Sequence, residues 1–284
     1  MTKRKLILLI SLLLPTFITA CSFKTLYNNL DYLIPEYIIE GMVSLDDVLE
    51  EKLELRTEAF LKWHRETQLI QYANWLKTIQ QIAGPTLTEE QVTQRIKEMD
   101  LFWSSLSIKL NDEVSNLLPH LDESQRDELF NSIRYKNEIF RGKYIDMDEE
   151  ERKEYYSERL LETYETWIGK LTDEQEHEIV LSANKQVDTA ELRLQRRLDW
   201  QEGITQILNN NLSIEEKTQR LHNFMSEFET TNTPGLREKL DYNQRIFSKL
   251  TVKISHSMSK DQMEFFIDKT DGYIRMFTEL AESR

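Results

Sequence analysis

The chain has 284 residues, enough for one large domain or two modest ones, and a formal net charge of −14 at pH 7. So acidic a chain is repelled by nucleic acid and gains nothing from anionic lipid headgroups, since both kinds of binding use clusters of Lys and Arg. Only seven glycines and five prolines, together with 30% charged residues, argue against a loop-rich or all-β protein and favour long, solvent-exposed helices.

The first twenty residues have the pattern of a secretory signal peptide. A basic segment at residues 3–5 precedes an apolar run over residues 6–14, and Ile18-Thr19-Ala20 supplies a small-residue cleavage site. This order predicts a cleaved signal peptide over residues 1–20 rather than a helix that spans the membrane.

Cys21 is the only cysteine in the chain. Residues 18–21 resemble the bacterial lipobox, which implies a mature chain that begins at an acylated Cys21. Acylation leaves no free thiol for a disulfide, a nucleophile or a metal site. Membrane attachment then comes from the lipid, because two acyl chains hold a protein stably. In such lipoproteins Asp after the cysteine commonly signals inner-membrane retention, so Ser22 favours the outer membrane, facing the periplasm.

Five segments have the pattern of a capping box, in which a short polar residue is followed three positions later by Gln or Glu. The first side chain accepts from the backbone N–H of the last residue, whose own side chain reaches back. The predicted pairs are Thr88/Gln91, Asp122/Gln125, Thr172/Gln175, Ser213/Glu216 and Ser259/Gln262. Two more helix starts are predicted at residues 44–47 and 147–151. Predicted stops are Gly84-Pro85, Pro119, Arg141-Gly142, Gly169, residues 209–211 and residues 233–235.

Apolar residues recur at helical spacing between these starts and stops. Val180, Val187 and Leu194 are seven residues apart, and no stretch alternates with period two for long enough to form a convincing strand. The sequence therefore predicts an all-α fold: antiparallel helical hairpins forming an elongated bundle of about seven or eight helices. Its predicted segments are a signal peptide (1–20), an acylated membrane-proximal segment (21–43) and a helical periplasmic domain (44–284).

Residues 26–32 and Trp63-His64-Arg65 resemble an uncharacterised family of bacterial lipoproteins, known mainly as a domain of unknown function. Residues 140–144 and 167–171 continue the likeness over most of the chain, although Tyr32 stands where that family commonly has tryptophan. The resemblance implies a helical lipoprotein and brings no activity with it.

The sequence Leu-Thr-x-x-Gln, at residues 87–91 and 171–175, is similar to the motif of the Spy and CpxP family. Those are small helical periplasmic proteins with chaperone or stress-sensing roles. This chain is larger and strongly acidic, and capping explains the motif without common ancestry.

The sequence contains no motif of a catalytic, cofactor or metal site. His177 and Glu178 begin like a zinc-protease helix, but Leu181 stands where the second histidine must lie. No Gly-x-Ser-x-Gly elbow or Gly-rich phosphate loop is present. A pair of carboxylates for glycan cleavage stays open, because 50 acidic residues allow many chance pairs.

Two groups of residues are candidates for binding a partner. Exposed aromatic and Met side chains could hold a client segment, while core packing would explain the same pattern. These are Trp63 on the first long helix and Phe266, Tyr273, Met276 and Phe277 on the last. A local basic cluster is either a solvated face or a docking point for an acidic partner or a lipopolysaccharide phosphate. It consists of Arg193, Arg196 and Arg197.

The segment behind Cys21 runs into residues 33–39, which are apolar enough to pack. A simple tether would be rich in Gly, Ser and Pro. We therefore expect this segment to dock against the helical body or the membrane interface.

These observations predict a membrane-anchored envelope lipoprotein whose non-catalytic helical domain binds unfolded proteins, as a holdase, or a specific envelope partner. An envelope enzyme acting on peptidoglycan, or a structural adaptor of an envelope complex, is the alternative.

Overall fold

The computed structural model describes residues 20–39, 41–231 and 233–283. Within these residues all regular structure is helical and no strand occurs, which confirms the predicted all-α class. Residues 1–19, which hold nearly all of the predicted signal peptide, lie outside the described residues. The elements are α1 (Ala20–Tyr27), α2 (Leu30–Leu33), a π-helix (Ile34–Ile39), α3 (Asp47–Thr67), α4 (Leu69–Ile82), α5 (Glu89–Leu117), a 3₁₀ turn (Leu118–His120), α6 (Glu123–Tyr144), α7 (Glu149–Ile168), α8 (Asp173–Ala183), α9 (Ala190–Asn209), α10 (Ile214–Thr230), α11 (Leu236–Ser257) and α12 (Lys260–Glu282).

The predicted helix starts agree with the structure. All five predicted capping boxes form, and Asp148 with Glu151 makes a sixth at the start of α7. Helix α3 begins at Asp47, with the Asp46 side chain accepting from the backbone N–H groups of Val48 and Leu49. Capping boxes are reliable signals because they satisfy backbone donors that the helix itself leaves unpaired.

In the described part of the chain ten helices have eleven residues or more, compared with the seven or eight expected. One extra break falls at Gln68, between α3 and α4. Thr67 Oγ1 donates to Trp63 O (2.7 Å), a back-bond that bends helices, and the Gln68 side chain reaches Ser105 of α5. The first long helix is therefore two helices.

The second break covers residues 184–189, where the apolar spacing had predicted one continuous helix. Val187 N donates to Asn243 Oδ1 of α11, and Asn243 Nδ2 donates back to Val187 O, both at 2.8 Å. Lys239 Nζ donates to Asp188 O (2.9 Å). These bonds from a distant helix replace those that a continuous helix would make, and sequence spacing does not reveal them.

The predicted stop at Arg141-Gly142 is wrong, because α6 continues through Gly142 to Tyr144. Glycine ends a helix most effectively when it takes a positive φ, as Gly169 does at the end of α7 with φ 76°. Gly142 stays in the helical conformation.

Buried apolar side chains form several clusters between the helices. Tyr164 and Ile168 of α7 pack with Ile179 of α8 and with Leu250 and Ile254 of α11. A second cluster joins α6, α9 and α10 through Phe130, Ile204, Leu208, Leu221 and Met225. Helix α12 packs against α1, α3, α4 and α7, so the C-terminal helix is covered by elements from both halves of the chain.

The segment behind Cys21 packs on the helical body, as expected. Tyr27 is buried with Leu69 of α4 and with Met276 and Leu280 of α12. Further along, Ile39 packs against Val43 and Leu49. Burial of these side chains holds the segment against the helical body, so the segment is not a free tether.

Two capping boxes also join each other across the fold. Gln175 of α8 and Gln262 of α12 exchange reciprocal side-chain hydrogen bonds of 3.0 and 2.8 Å. Each amide also donates to the turn before the other helix, Gln262 to Lys170 O and Gln175 to Ser257 O. These reciprocal bonds tie the α7–α8 turn to the α11–α12 turn.

Among the described helices, none is both long and apolar enough to cross a bilayer.

Candidate functional site

An open groove of about 390 Å³ runs between α4 and α5. The two helices are antiparallel: Gln68 Nε2 lies 3.4 Å from Ser105 Oγ at one end, and Trp75 Nε1 donates to Arg95 O (3.1 Å) towards the other. Lining side chains extend from Gln68 to Thr78 on α4 and from Arg95 to Ser105 on α5. At 1.5 Å per helical residue each wall is about 15 Å long.

The α4 wall is a row of uncharged polar groups, with the carboxamides of Gln68, Gln71 and Asn74 followed by the Thr78 hydroxyl. Gln71 Nε2 donates to Thr67 O (2.6 Å). Asn74 is exposed, and its carboxamide makes no hydrogen bond with another described residue. This wall offers both donors and acceptors to a ligand.

The α5 wall combines an ion pair with apolar groups. Arg95 and Glu98 pair at 2.7 Å and are, among the residues that the structure describes, the only charged ones that line the groove, so this lining has no net charge. The Phe102 ring meets the Trp75 ring edge to face at 6.4 Å. Leu101 also lines the groove, although it is 69% exposed.

Helix α5 exposes more apolar surface than its neighbours, on two sides. At about 100° per residue, Leu101 and Ile108 share one side, and Met99, Trp103 and Leu110 share the opposite one. Trp103 is 61% and Ile108 60% exposed. Scattered exposed apolar residues are ordinary, and these five do not form one continuous patch; their concentration on one helix is the feature that favours α5 as a contact surface.

A half-buried histidine, His64, joins the groove to the segment behind Cys21. The Tyr27 hydroxyl lies 2.8 Å from His64 Nδ1, and the Tyr72 hydroxyl lies 3.4 Å from His64 Nε2. Tyr72 packs edge to face on Phe102 of the groove (5.1 Å). Residues 26–32 and Trp63-His64-Arg65, which carry the family resemblance, therefore meet at this histidine.

Burial sets the protonation states around His64. Desolvation lowers the pKa of His64 to about 4. Burial, and then the neighbouring Tyr27, raise the pKa of Tyr72 to about 12. At neutral pH the imidazole and the phenols are uncharged. Because a general base works best with a pKa near the operating pH, this histidine is better suited to holding two tyrosines than to catalysis.

The structure contradicts the idea that the stripe on the last helix is an open binding face. Met276 is 3% exposed and belongs to the core beside Tyr27, and Phe277 packs against the same core. Tyr273 meets the Trp167 ring at 5.6 Å, and Phe266 packs against the α7–α8–α11 core. Met276 is buried, and Phe266, Tyr273 and Phe277 are half-buried, because four other helices pack against α12.

The predicted residue Trp63 is half-buried, with its ring 5.7 Å from Phe60 and 6.4 Å from His64. It lies beside the His64 cluster and does not line the groove between α4 and α5.

Two of the three clustered arginines have structural contacts. Arg196 donates to Phe228 O (2.6 Å) and to Thr231 O, where it satisfies carbonyls at the end of α10. The Arg197 guanidinium lies over the Phe140 ring at 4.4 Å. Arg193 is exposed and remains the member best placed to meet an acidic partner.

In the part of the chain that the structure describes, no group of three or more His, Cys, Asp or Glu could hold a metal ion. Next to His177, Glu178 forms an ion pair with Lys253 at 2.8 Å.

The fold places the chain among all-α proteins built from several packed hairpins. Residues 42–237 match a family of unknown function, DUF6279, and because this match covers well over half of the chain, the chain belongs to that family. No curated protein and no solved structure matches it. The comparisons show no similarity to Spy and CpxP proteins, and both Leu-Thr-x-x-Gln motifs form capping boxes.

The family match covers the groove and His64, while Tyr27 and α12 lie outside it. No motif or spacing in the sequence had predicted the groove. The carboxamides at residues 68, 71 and 74 give a signal that was available, since residues spaced by three share a helix face. Whether that face of α4 stays open depends on how α5 packs beside it, and the sequence pattern does not specify that packing.

Proposed function

We propose that this chain is a lipid-anchored protein of the bacterial envelope whose helical body binds another protein without catalysing a reaction. The observation that carries the binding proposal is the set of exposed apolar side chains on α5, three of which are at least 60% exposed. In a chain with 30% charged residues, such a set on one helix favours a contact with a partner.

The anchor is supported by the basic, apolar and small-residue order that leads to Cys21. The burial of Tyr27 supports a body held close to its anchor, because only five residues lie between Cys21 and Tyr27. We further propose the outer membrane, on the basis of Ser22.

Replacing the cysteine tests the anchor. Cys21→Ser should abolish incorporation of labelled palmitate and move the protein from the membrane fraction to the soluble fraction, whereas Ser22→Ala should leave both unchanged. Palmitate labelling that persists in Cys21→Ser would contradict the anchor.

Cross-linking in intact cells tests the binding role. A photoreactive amino acid at Trp103 should trap one reproducible protein, and the same group at the exposed Lys77 should trap none. Failure to trap a protein from any exposed position on α5, or release of muropeptides from purified sacculi by the full chain, would overturn the proposal.

A further inference from the structure

We propose that the groove between α4 and α5 binds an extended, uncharged peptide segment with at least one apolar side chain. This inference rests on the proposed binding function and names the chemistry of the partner. It follows from three properties of the groove: its row of carboxamides, its neutral lining and its length.

The carboxamides match a peptide backbone. Each side-chain amide carries one acceptor and a donating N–H₂ group, so it can pair with both the C=O and the N–H of an extended chain. Asn74 is free to do so, and Gln71 keeps its carbonyl oxygen after donating to Thr67. Gln68 closes the end of the row, because it is buried and its amide already donates to Thr67 and Ser105. An edge strand is paired in the same way when a peptide adds to a sheet, with main-chain bonds giving affinity and alternate side chains giving specificity.

The charge of the groove excludes other ligands. Arg95 and Glu98 neutralise each other at 2.7 Å, which leaves no unpaired cation to hold a phosphate or carboxylate. The chain as a whole carries −14, so an acidic ligand is also repelled at longer range. To a basic segment the groove offers one carboxylate, that of Glu98, which is already paired with Arg95.

The dimensions and the apolar groups fit a short segment. A wall of about 15 Å spans four or five residues of extended chain, at about 3.3 Å each. Leu101 is placed to contact an alternate apolar side chain, with Trp75 and Phe102 lining the same groove. Burying the exposed Leu101 would supply the hydrophobic part of the binding free energy.

Fluorescence anisotropy tests the inference with the full lipidated chain in detergent. The probe is a dye-labelled, end-capped peptide, acetyl-Ser-Leu-Asn-Leu-Ser-Leu-Asn-amide. We expect saturable binding of the peptide and a shift of the Trp75 indole N–H resonance. For Leu101→Asp we expect a Kd at least tenfold higher than for the wild type. Because Leu101 is mostly exposed, this variant should fold; Asn74→Asp, also at an exposed position, is a second variant with the same expected direction.

Ile108→Asp is the matched control, since Ile108 is similarly exposed on the same side of α5 and does not line the groove. Its Kd should stay within about twofold of the wild type. Equal loss in both variants would mean general apolar adhesion and would overturn the inference. The same holds if an N-acetylglucosamine trimer, and not the peptide, shifts the Trp75 resonance.

Cross-linking separates this inference from the binding function on which it rests. A photoreactive group at Leu101 that traps nothing, while the same group at Trp103 traps a protein, would overturn the groove and leave the binding function intact. A protein trapped from Leu101 in the wild type and lost with Asn74→Asp would support both.

Discussion

Gln175 and Gln262 combine two tasks in one side chain each, closing a capping box and joining two distant turns. We predict that Gln175→Ala lowers the free energy of unfolding by about 1–3 kcal/mol, because the buried amide of Gln262 is left without its partner. The double variant should be less destabilised than the sum of the single variants, by about 1 kcal/mol, as expected for residues in direct contact. Urea denaturation measures all three values.

Gln91 provides the matched control for that cycle. It closes the capping box of α5 with Thr88, and its side-chain hydrogen bonds to other described residues are confined to that box. Gln91→Ala should cost only the cap, about 1 kcal/mol. If Gln91→Ala and Gln175→Ala cost the same, the bond between the two turns contributes nothing to stability.

His64 makes the stability of the fold depend on pH. Its pKa is about 4 in the folded chain and 6.5 in the unfolded chain, so between these values only the unfolded state takes up the proton. Stability is therefore fully present above pH 6.5 and is lost as the pH falls towards 4, by up to about 3 kcal/mol. Urea denaturation at pH 7 and pH 5 should show this loss.

The variant His64→Gln should flatten the pH dependence between pH 7 and pH 5, whatever it does to stability at pH 7. His177→Gln, at an exposed position, should keep the slope of the wild type. His120 also has a pKa lowered mainly by burial, so the residual slope of His64→Gln should disappear in the variant that lacks both histidines. An unchanged slope in that double variant would refute the assignment.

At the scale of helices, two glycines inside α9 and α6 have opposite environments. A Cβ at Gly203 would lie 2.2 Å from Phe224 Cζ of α10, whereas a Cβ at Gly142 would meet nothing within 4 Å. We predict that Gly203→Ala separates α9 from α10 and costs about 1–3 kcal/mol. Gly142→Ala should instead stabilise α6 by about 0.5–1 kcal/mol, because alanine favours the helix. Thermal unfolding of the two variants should move in opposite directions.

The helices also show which features sequence patterns can predict. Helix starts were predictable because a capping box is local, with both partners inside four residues. The breaks at Gln68 and at residues 184–189 were not, since side chains of α5 and α11 hold them from far along the chain. Apolar spacing predicted the stripe on α12 but not its exposure. Met276 of that stripe is buried under α1 and α4, while Leu101 of α5, which is also apolar, remains open to solvent.

At the scale of the whole molecule, two features matter together: the negative net charge of the chain and the packing of α1 on the helical body. Removing residues 1–20 would take away Lys3, Arg4 and Lys5 and leave a charge of −17, so the body itself has no attraction to an anionic bilayer. In the proposed lipid-anchored protein, the distance of the body from the membrane is therefore set by the segment behind Cys21. With Tyr27 docked, α1 spans about 9 Å from Cys21 to Tyr27. Without that contact the next buried residue is Pro35, and the chain from Cys21 to Pro35 could extend to about 50 Å.

Tyr27 should control this distance. In Tyr27→Ala the buried ring is lost from beside Leu69 and Met276, a change that typically costs several kcal/mol. Since α1 contacts the body at one end of the chain, we predict release of residues 20–33 rather than global unfolding. Hydrogen exchange of the membrane-bound chain should accelerate at least tenfold in this segment and remain unchanged in α7 and α8.

Tyr27→Phe, which keeps the ring and loses the hydroxyl beside His64, should give a smaller increase. Lys24→Ala, which removes only an exposed ion pair with Glu279, should give almost none, because water screens that pair. Equal exchange in Tyr27→Ala and the wild type would mean that the segment is held by other contacts and that Tyr27 does not set the height of the body above the bilayer.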